Sequence, residues 1–328
     1  MHQQPHLSNG ITALQQHVLR TLLYYDIFDY PLNAGEVFRF LGTNSVNEQD
    51  VAQALEDLSK QQHVHRYDNF YSARPVPSFV ARRAKGNTLA VKLLPLAQRK
   101  ANIIARFPFV RGVFVSGSMA KDYMEEKSDI DFFIVTRPGR LWIARTLLVL
   151  YKRLFLANSH KYFCVNYFIS EDQLEIEDKN IFTATELATV LPLYGKGQYQ
   201  SLIQRNAWIK ERFPNFKPRA VESVRDGTAS GIKKAIEGFI NVLAVQWLER
   251  FCRSITRQRW RRLYRQKYAQ ADFDVAFRST AYVSKNHPQH FQRKVIALYN
   301  EKLLSRKLPM VDEGTNHAHR SPNEIRVV

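Results

Sequence analysis

Residues 113–136 read VFVSGSMAKDYMEEKSDIDFFIVT, and this stretch limits what the chain can become more than any other. An apolar run ends in Gly117-Ser118, a short helical turn follows, and a second apolar run carries Asp129-Ile130-Asp131. Two runs of strand length on either side of such a turn predict strands lying in one sheet. On a strand, residues i and i+2 share a face, so Asp129 and Asp131 project side by side. Adjacent carboxylates repel one another unless a cation sits between them, and a divalent ion such as magnesium resolves that cost. Gly117 has no side chain and lets an anion approach the backbone. Ser118 adds a hydroxyl where the next helix is expected to present unpaired N–H groups and a positive dipole end. An anion seat beside a cation site is the layout of two-metal phosphoryl transfer.

The surrounding pattern alternates helix and strand. A helix over Asn87–Arg106 precedes the strand Val110–Ser116. The strand Ile130–Thr136, a long amphipathic helix Leu141–Ala157 and a third strand Tyr162–Ile169 follow. Such alternation builds a sheet covered by helices. Before it, Ile11, Leu14, Val18 and Leu22 mark one helix, Asn33 caps a second that runs through Leu41, and Val51, Leu55 and Leu58 mark a third. A hairpin over His63–Ala73 then turns at Asp68-Asn69. That order resembles a winged helix. After Phe182 the pattern is nearly all helical, punctuated by Pro192, Pro214 and Pro218, with a joint at Gly227–Gly231. The expected organisation is a disordered tail at 1–9, a winged-helix-like module at 10–80, a core at 81–200, a basic helical region at 201–310 and a disordered tail at 311–328.

Gly-Ser, ten intervening residues and Asp-Ile-Asp inside strand–helix–strand resemble the signature of the DNA polymerase β-type nucleotidyltransferase superfamily, especially its minimal bacterial members. The likeness covers about residues 85–170. It implies an α+β fold with a mixed sheet and helices, and transfer of a nucleoside monophosphate from an NTP with pyrophosphate leaving. It also implies Mg²⁺ (or Mn²⁺) held on three carboxylates. By this resemblance Asp129 and Asp131 are the metal-holding catalytic pair, and Gly117 and Ser118 seat the β,γ-phosphates. Lys121, one turn after Ser118, and Arg140, placed by the Pro138-Gly139 turn, are nucleotide-binding candidates. Arg145 reads as part of a solvated positive face.

The third carboxylate is expected on the strand after the long helix, where Asn166 is the polar residue at the right depth. An amide brings no charge and is a poor general base. Either the enzyme works with two carboxylates and another base, for which Glu171 and Asp172 are candidates, or the chain is a non-catalytic nucleotide- or RNA-binding protein on the same fold. Asn166 bonded to backbone, as a simple strand-end amide, is the plain structural reading.

Composition narrows the partners. With 45% hydrophobic and 24% charged residues in 328, the chain is neither disordered nor fibrous. The net charge of +18 is unevenly spread: −3 over residues 1–80, +7 over 81–200 and +14 over 201–328. The third N-terminal helix carries Glu48, Asp50, Glu56 and Asp57 against Lys60, so the module is expected to contact protein rather than read DNA. The helix expected over Ile232–Lys267 keeps Ile236, Ile240, Leu243, Trp247, Phe251 and Ile255 on one face, as if to pack there. It also holds Arg250, Arg253, Arg257, Arg259, Arg261, Arg262, Arg265 and Lys267, with Trp260 and Tyr264 interleaved. RNA, nucleotide phosphates or an anionic membrane surface could use that charge, with Arg257, Arg261 and Arg265 as contacts; the sequence leaves the acceptor open among RNA, protein, an antibiotic and a metabolite. Cys164 and Cys252 read as reduced, buried thiols. His287, Pro288 and His290 read as a helix entry. The start MHQQPHLSNG has no secretory pattern and the apolar runs are too short to span a bilayer, so the expected location is cytoplasmic.

Overall fold

The structure is a computed structural model that describes residues 10–156, 161–226, 230–242, 245–264, 266, 273, 277–285 and 291–311. The expected tail at 1–9, all but Val311 of the expected tail at 311–328, most of the 227–231 joint, and Arg265, Lys267, His287, Pro288 and His290 lie outside the described residues.

The first elements are α1 (Ala13–Asp26), α2 (Ala34–Arg39), α3 (Glu48–Lys60) and a hairpin of β1 (His65–Tyr67) and β2 (Phe70–Ser72). Each helix starts on a capping box: Thr12 with Gln15, Asn33 with Glu36, and Asn47 with Asp50. Every box satisfies two backbone donors that the helix itself leaves unpaired. Asp68 takes a positive φ of 51° at the hairpin turn, a conformation Asp tolerates better than most residues.

Next comes α4 (Ser78–Ala105), which begins nine residues before the expected start. Its first turns are fixed by partners in the N-terminal elements, because the Arg83 guanidinium donates to Glu36 Oε1 and Oε2 at 2.6 and 2.8 Å. The chain continues through β3 (Val110–Ser116), a 3₁₀ turn Met119–Lys121, β4 (Asp131–Thr136), α5 (Leu141–Phe155), β5 (Cys164–Ser170), α6 (Ile181–Thr189) and β6 (Leu191–Tyr194). The later elements are α7 (Lys196–Arg205), α8 (Ile209–Arg212), α9 (Gly231–Val242), α10 (Val245–Tyr264), β7 (Val283–Lys285) and α11 (Phe291–Ser305).

One mixed sheet of five strands, in the order β6-β3-β4-β5-β7, forms the centre. The β4–β5 pair is parallel and the other pairs are antiparallel. The architecture is therefore α+β, as expected. Two strands, β6 and β7, fall in the stretch that reads as helical in the sequence. Both lie at sheet edges, where the missing N–H of Pro192 is tolerated. On one face Val113, Val115, Phe132, Ile134 and Phe168 pack with residues of α4, α5 and α10. On the other, Phe114, Phe133, Val135 and Ile169 share a core with α1–α3, α6, α7 and α11. Buried Asp26 joins the two ends of the described chain. It accepts from Arg74 Nε at 2.8 Å and from Lys302 Nζ at 2.5 Å.

Of the expected long basic helix, α9 and α10 are described and Leu243 lies outside the described residues; Ile240 packs against the core, whereas Ile236, Trp247, Phe251 and Ile255 of the expected packing face are exposed. On α9, Lys233 and Glu237 are the buried residues. The Lys233 ammonium donates to the carbonyls of Ala105 and Val110 at 2.8 and 2.7 Å. Glu237 accepts from the Phe109 N–H at 2.6 Å and from Arg111 at 2.7 Å. Burial, helped by Arg111, lowers the Lys233 pKa to about 8. Between pH 8 and the ordinary lysine range the unfolded chain therefore holds more protons, and this group's contribution to stability rises with pH. Lys233→Met removes that rise. It also leaves two buried carbonyls without a donor, and we expect a loss of about 2 kcal/mol at neutral pH. Paired urea melts at pH 7 and pH 10 check both: a gap between wild type and variant that fails to widen at the higher pH contradicts the assignment.

Candidate functional site

Ser116, the last residue of β3, pairs with Asp131, the first of β4, so the turn leaving one strand is set against the carboxylate entering the next. Gly117 sits in that turn at φ +70°, and a Cβ there would lie 2.9 Å from Asp131 Oδ2. Both the backbone conformation and the close approach require glycine. Asp129 lies just before β4. Ile130 between the two acids is fully buried on the α4/α5 side and extends the parallel ladder, with its N–H on the Lys161 carbonyl at 2.9 Å.

Lys121 is brought to the same place. Its ammonium donates to the Gly117 carbonyl at 3.1 Å and to Glu186 Oε1 at 2.5 Å, while the Gly117 N–H donates to Glu186 Oε2 at 3.1 Å. Glu186 comes from α6 and was not expected. The available signal was that it is the one charged residue in IFTATELAT, an otherwise apolar and threonine-rich helix. The helix expected after Ser118 is a single 3₁₀ turn, too short to contribute much dipole. The Ser118 hydroxyl contacts Met124 Sδ at 3.6 Å. The donors gathered at this turn are the Gly117 N–H, the Ser118 hydroxyl and the Lys121 ammonium.

The loop is pinned from three sides. The Met124 N–H donates to the Gly86 carbonyl of α4 at 3.1 Å, and the Tyr30 hydroxyl of the N-terminal elements donates to the Lys121 carbonyl at 3.4 Å. Arg219 donates to the Ala120 carbonyl at 2.6 Å.

Asp131 pairs across the sheet with Cys164 at the start of β5. A register shift between Phe132 and Phe133 leaves Asn166 as the extra residue of a bulge. The Asn166 amide donates to Cys164 Sγ at 2.8 Å rather than to backbone. Burial pushes the Asp131 carboxyl up to about 6. The charges of Asp129 and Glu186 act the same way, against a hydrogen bond from Cys164 and the charge of Lys121. Burial likewise pushes the Cys164 thiol up, and both cysteines are free and buried. Lys152, buried near the end of α5, has its pKa lowered by burial, against the opposing charge of Asp129.

Other candidates are placed elsewhere. Arg140 follows the far end of β4, stacks over Phe109 and donates to Asn241 at 2.9 Å, so the turn before it does not bring it to the carboxylates. Glu171 and Asp172 follow the far end of β5 and are likewise remote from Asp131. Arg145 is buried among Trp142, Phe168 and Trp260 instead of lying on a solvated face. The start of α5 is closed by Glu249 of α10, which accepts from the N–H groups of Trp142 and Ile143 at 2.7 and 2.9 Å. On α10, Arg261 is exposed and Arg257 is partly buried.

Among the described residues no three His, Cys, Asp or Glu side chains are grouped to hold a metal ion. The donors that do converge are carboxylate oxygens in charge excess over one lysine, a set that fits a hard divalent cation such as Mg²⁺ or Mn²⁺. No curated protein and no solved structure matches the chain. Residues 99–191, which run from the end of α4 to the start of β6 and include every residue of this site, match the family model of the nucleotidyltransferase domain.

Proposed function

We propose that the chain is a metal-dependent nucleotidyltransferase that moves a nucleoside monophosphate from an NTP to an acceptor and releases pyrophosphate. The observation that supports this most is the Ser116–Asp131 pairing, which sets the Gly117-Ser118-Lys121 seat directly against the acidic pair. Asp129 and Asp131 would hold Mg²⁺ or Mn²⁺, and the bound ion supplies charge neutralisation on the phosphates and polarises the attacking oxygen. The Gly117 N–H, Ser118 hydroxyl and Lys121 ammonium orient the β,γ-phosphates. Glu186 already occupies two of those donors, standing where a phosphate oxygen is expected. A nucleotide must displace it, and the released carboxylate is then available beside the acidic pair to take a proton from the acceptor.

Glu186→Gln separates these roles. The neutral amide competes less for Lys121, so NTP binding tightens by about tenfold, while loss of the base lowers turnover by about 10²-fold. Isothermal titration with a non-hydrolysable NTP and a pyrophosphate-release assay read the two effects. Unchanged affinity in the variant contradicts the displacement. The amide at Asn166 favours a second reading, a nucleotide-binding protein that does not turn over. NTP binding in titration together with no pyrophosphate release from any of the four NTPs under Mg²⁺ or Mn²⁺, with RNA and protein acceptors supplied, would favour it.

The acceptor in this reading is RNA or protein. The winged-helix-like elements act as a protein-contacting and packing module, because the exposed side of α3 is acidic and Arg83 of α4 spends its charge on Glu36 of α2. A cytoplasmic setting supplies the NTP and Mg²⁺ that the site calls for.

A further inference from the structure

The polarity of α9 is inverted. Its charged residues Lys233 and Glu237 are 4% and 6% exposed, whereas Phe239 and Val242 are 69% and 88% exposed. On α10, Trp247, Phe251 and Ile255 recur at four-residue spacing and are also exposed, with the first two rings stacked at 5.0 Å. The lone carboxylate of α10, Glu249, is turned inward onto α5, and Arg250, Arg261 and Arg262 lie on the exposed side. A soluble surface rarely leaves this much apolar area open without a partner.

We propose that α9 and α10 form a docking face for an anionic bilayer surface. Apolar side chains enter the boundary between headgroups and acyl chains while arginines pair with headgroup phosphates, the arrangement of an in-plane amphipathic helix. Three observations choose this occupant. Val242, Ile236 and Ile255 have no ring face on which a nucleobase could stack, so an RNA strand leaves half of the surface unused. A second copy of the chain would set one arginine row against another. Among the described residues no helix is long and apolar enough to cross a membrane, so the contact lies in the plane of the surface.

The chain supplies its own reporter. Of four tryptophans, Trp142, Trp208 and Trp260 are buried and Trp247 is exposed. The full chain is mixed with vesicles of phosphatidylcholine alone, and of phosphatidylcholine with phosphatidylglycerol. We expect co-sedimentation and a blue shift of emission with the anionic vesicles only, and loss of the shift in Trp247→Phe. The triple variant Arg250→Gln, Arg261→Gln, Arg262→Gln should bind about 100-fold more weakly, and Phe239→Ser with Phe251→Ser should abolish binding. All these positions are exposed, so unchanged thermal melts separate lost docking from lost folding. The proposal is overturned if the wild type stays in the supernatant with both vesicles, or if the variants sediment like the wild type. It is also overturned if single-stranded RNA binds this face with steep salt dependence while vesicles do not, or if Phe239→Ser only dissolves a dimer.

Discussion

Asp131→Asn is expected to cut metal-supported nucleotide turnover by about 10³-fold while the protein still folds. The argument rests on where the residue sits. Asp131 opens β4 opposite Ser116, lies against Gly117 so closely that a Cβ there would be 2.9 Å from its Oδ2, and is already under pressure from burial, Asp129 and Glu186. Removing its charge removes a ligand and relieves that pressure, so the metal-free variant should melt at the same temperature as the wild type or higher. Pyrophosphate release and calorimetry on the same preparation read both. Undiminished turnover in Asp131→Asn and in Asp129→Asn would show that the acidic pair is not the metal seat.

Asn166→Asp is expected to act in the opposite direction. The resemblance leads to a third carboxylate on the strand after the long helix, and there the structure has an amide bonded to Cys164, which itself lies against Asp131. Adding a carboxylate at the bulge supplies a charged oxygen donor and a base, and should raise turnover by about 10²–10⁴-fold. The same charge joins an already crowded acidic group, so the metal-free variant should melt lower and recover on adding Mg²⁺. A wild type that outpaces the variant would mean that Glu186 or another group already fills the role.

The central strands and the placement of Asp129 and Asp131 beside the Gly117-Ser118 turn were legible because their signals are local. The run from Val110 to Ser116 is a strand at the expected bounds, and the Gly117-Ser118 turn is followed by acids at fixed distance. What was not legible depends on pairing. Arg140 looks close to Asp131 along the chain, but β4 runs away from the site and delivers Arg140 to its other end. Glu186 looks remote but returns on α6. No period in the sequence encodes which end of a strand a loop serves, since that is fixed by strand direction and crossover. The outward apolar face of α9 fails for a related reason. Lys233 and Glu237 carry the charges that ordinarily mark a solvated side, and they are buried only because carbonyls of α4 and β3, with the Phe109 N–H and Arg111, receive them.

The Asp26 clasp sets an order of events during synthesis. The carboxylate that closes α1 waits for a lysine 276 residues later, and the same core takes side chains from both ends. As the chain leaves the ribosome, α1 to α3 emerge first and can pack on one another, but the side of α1 that meets α11 stays uncovered until the end of translation. Contacts this distant in sequence slow folding and prolong exposure. On a chain stalled before residue 302, Asp26 keeps Arg74 but lacks its lysine, and that side of α1 stays open.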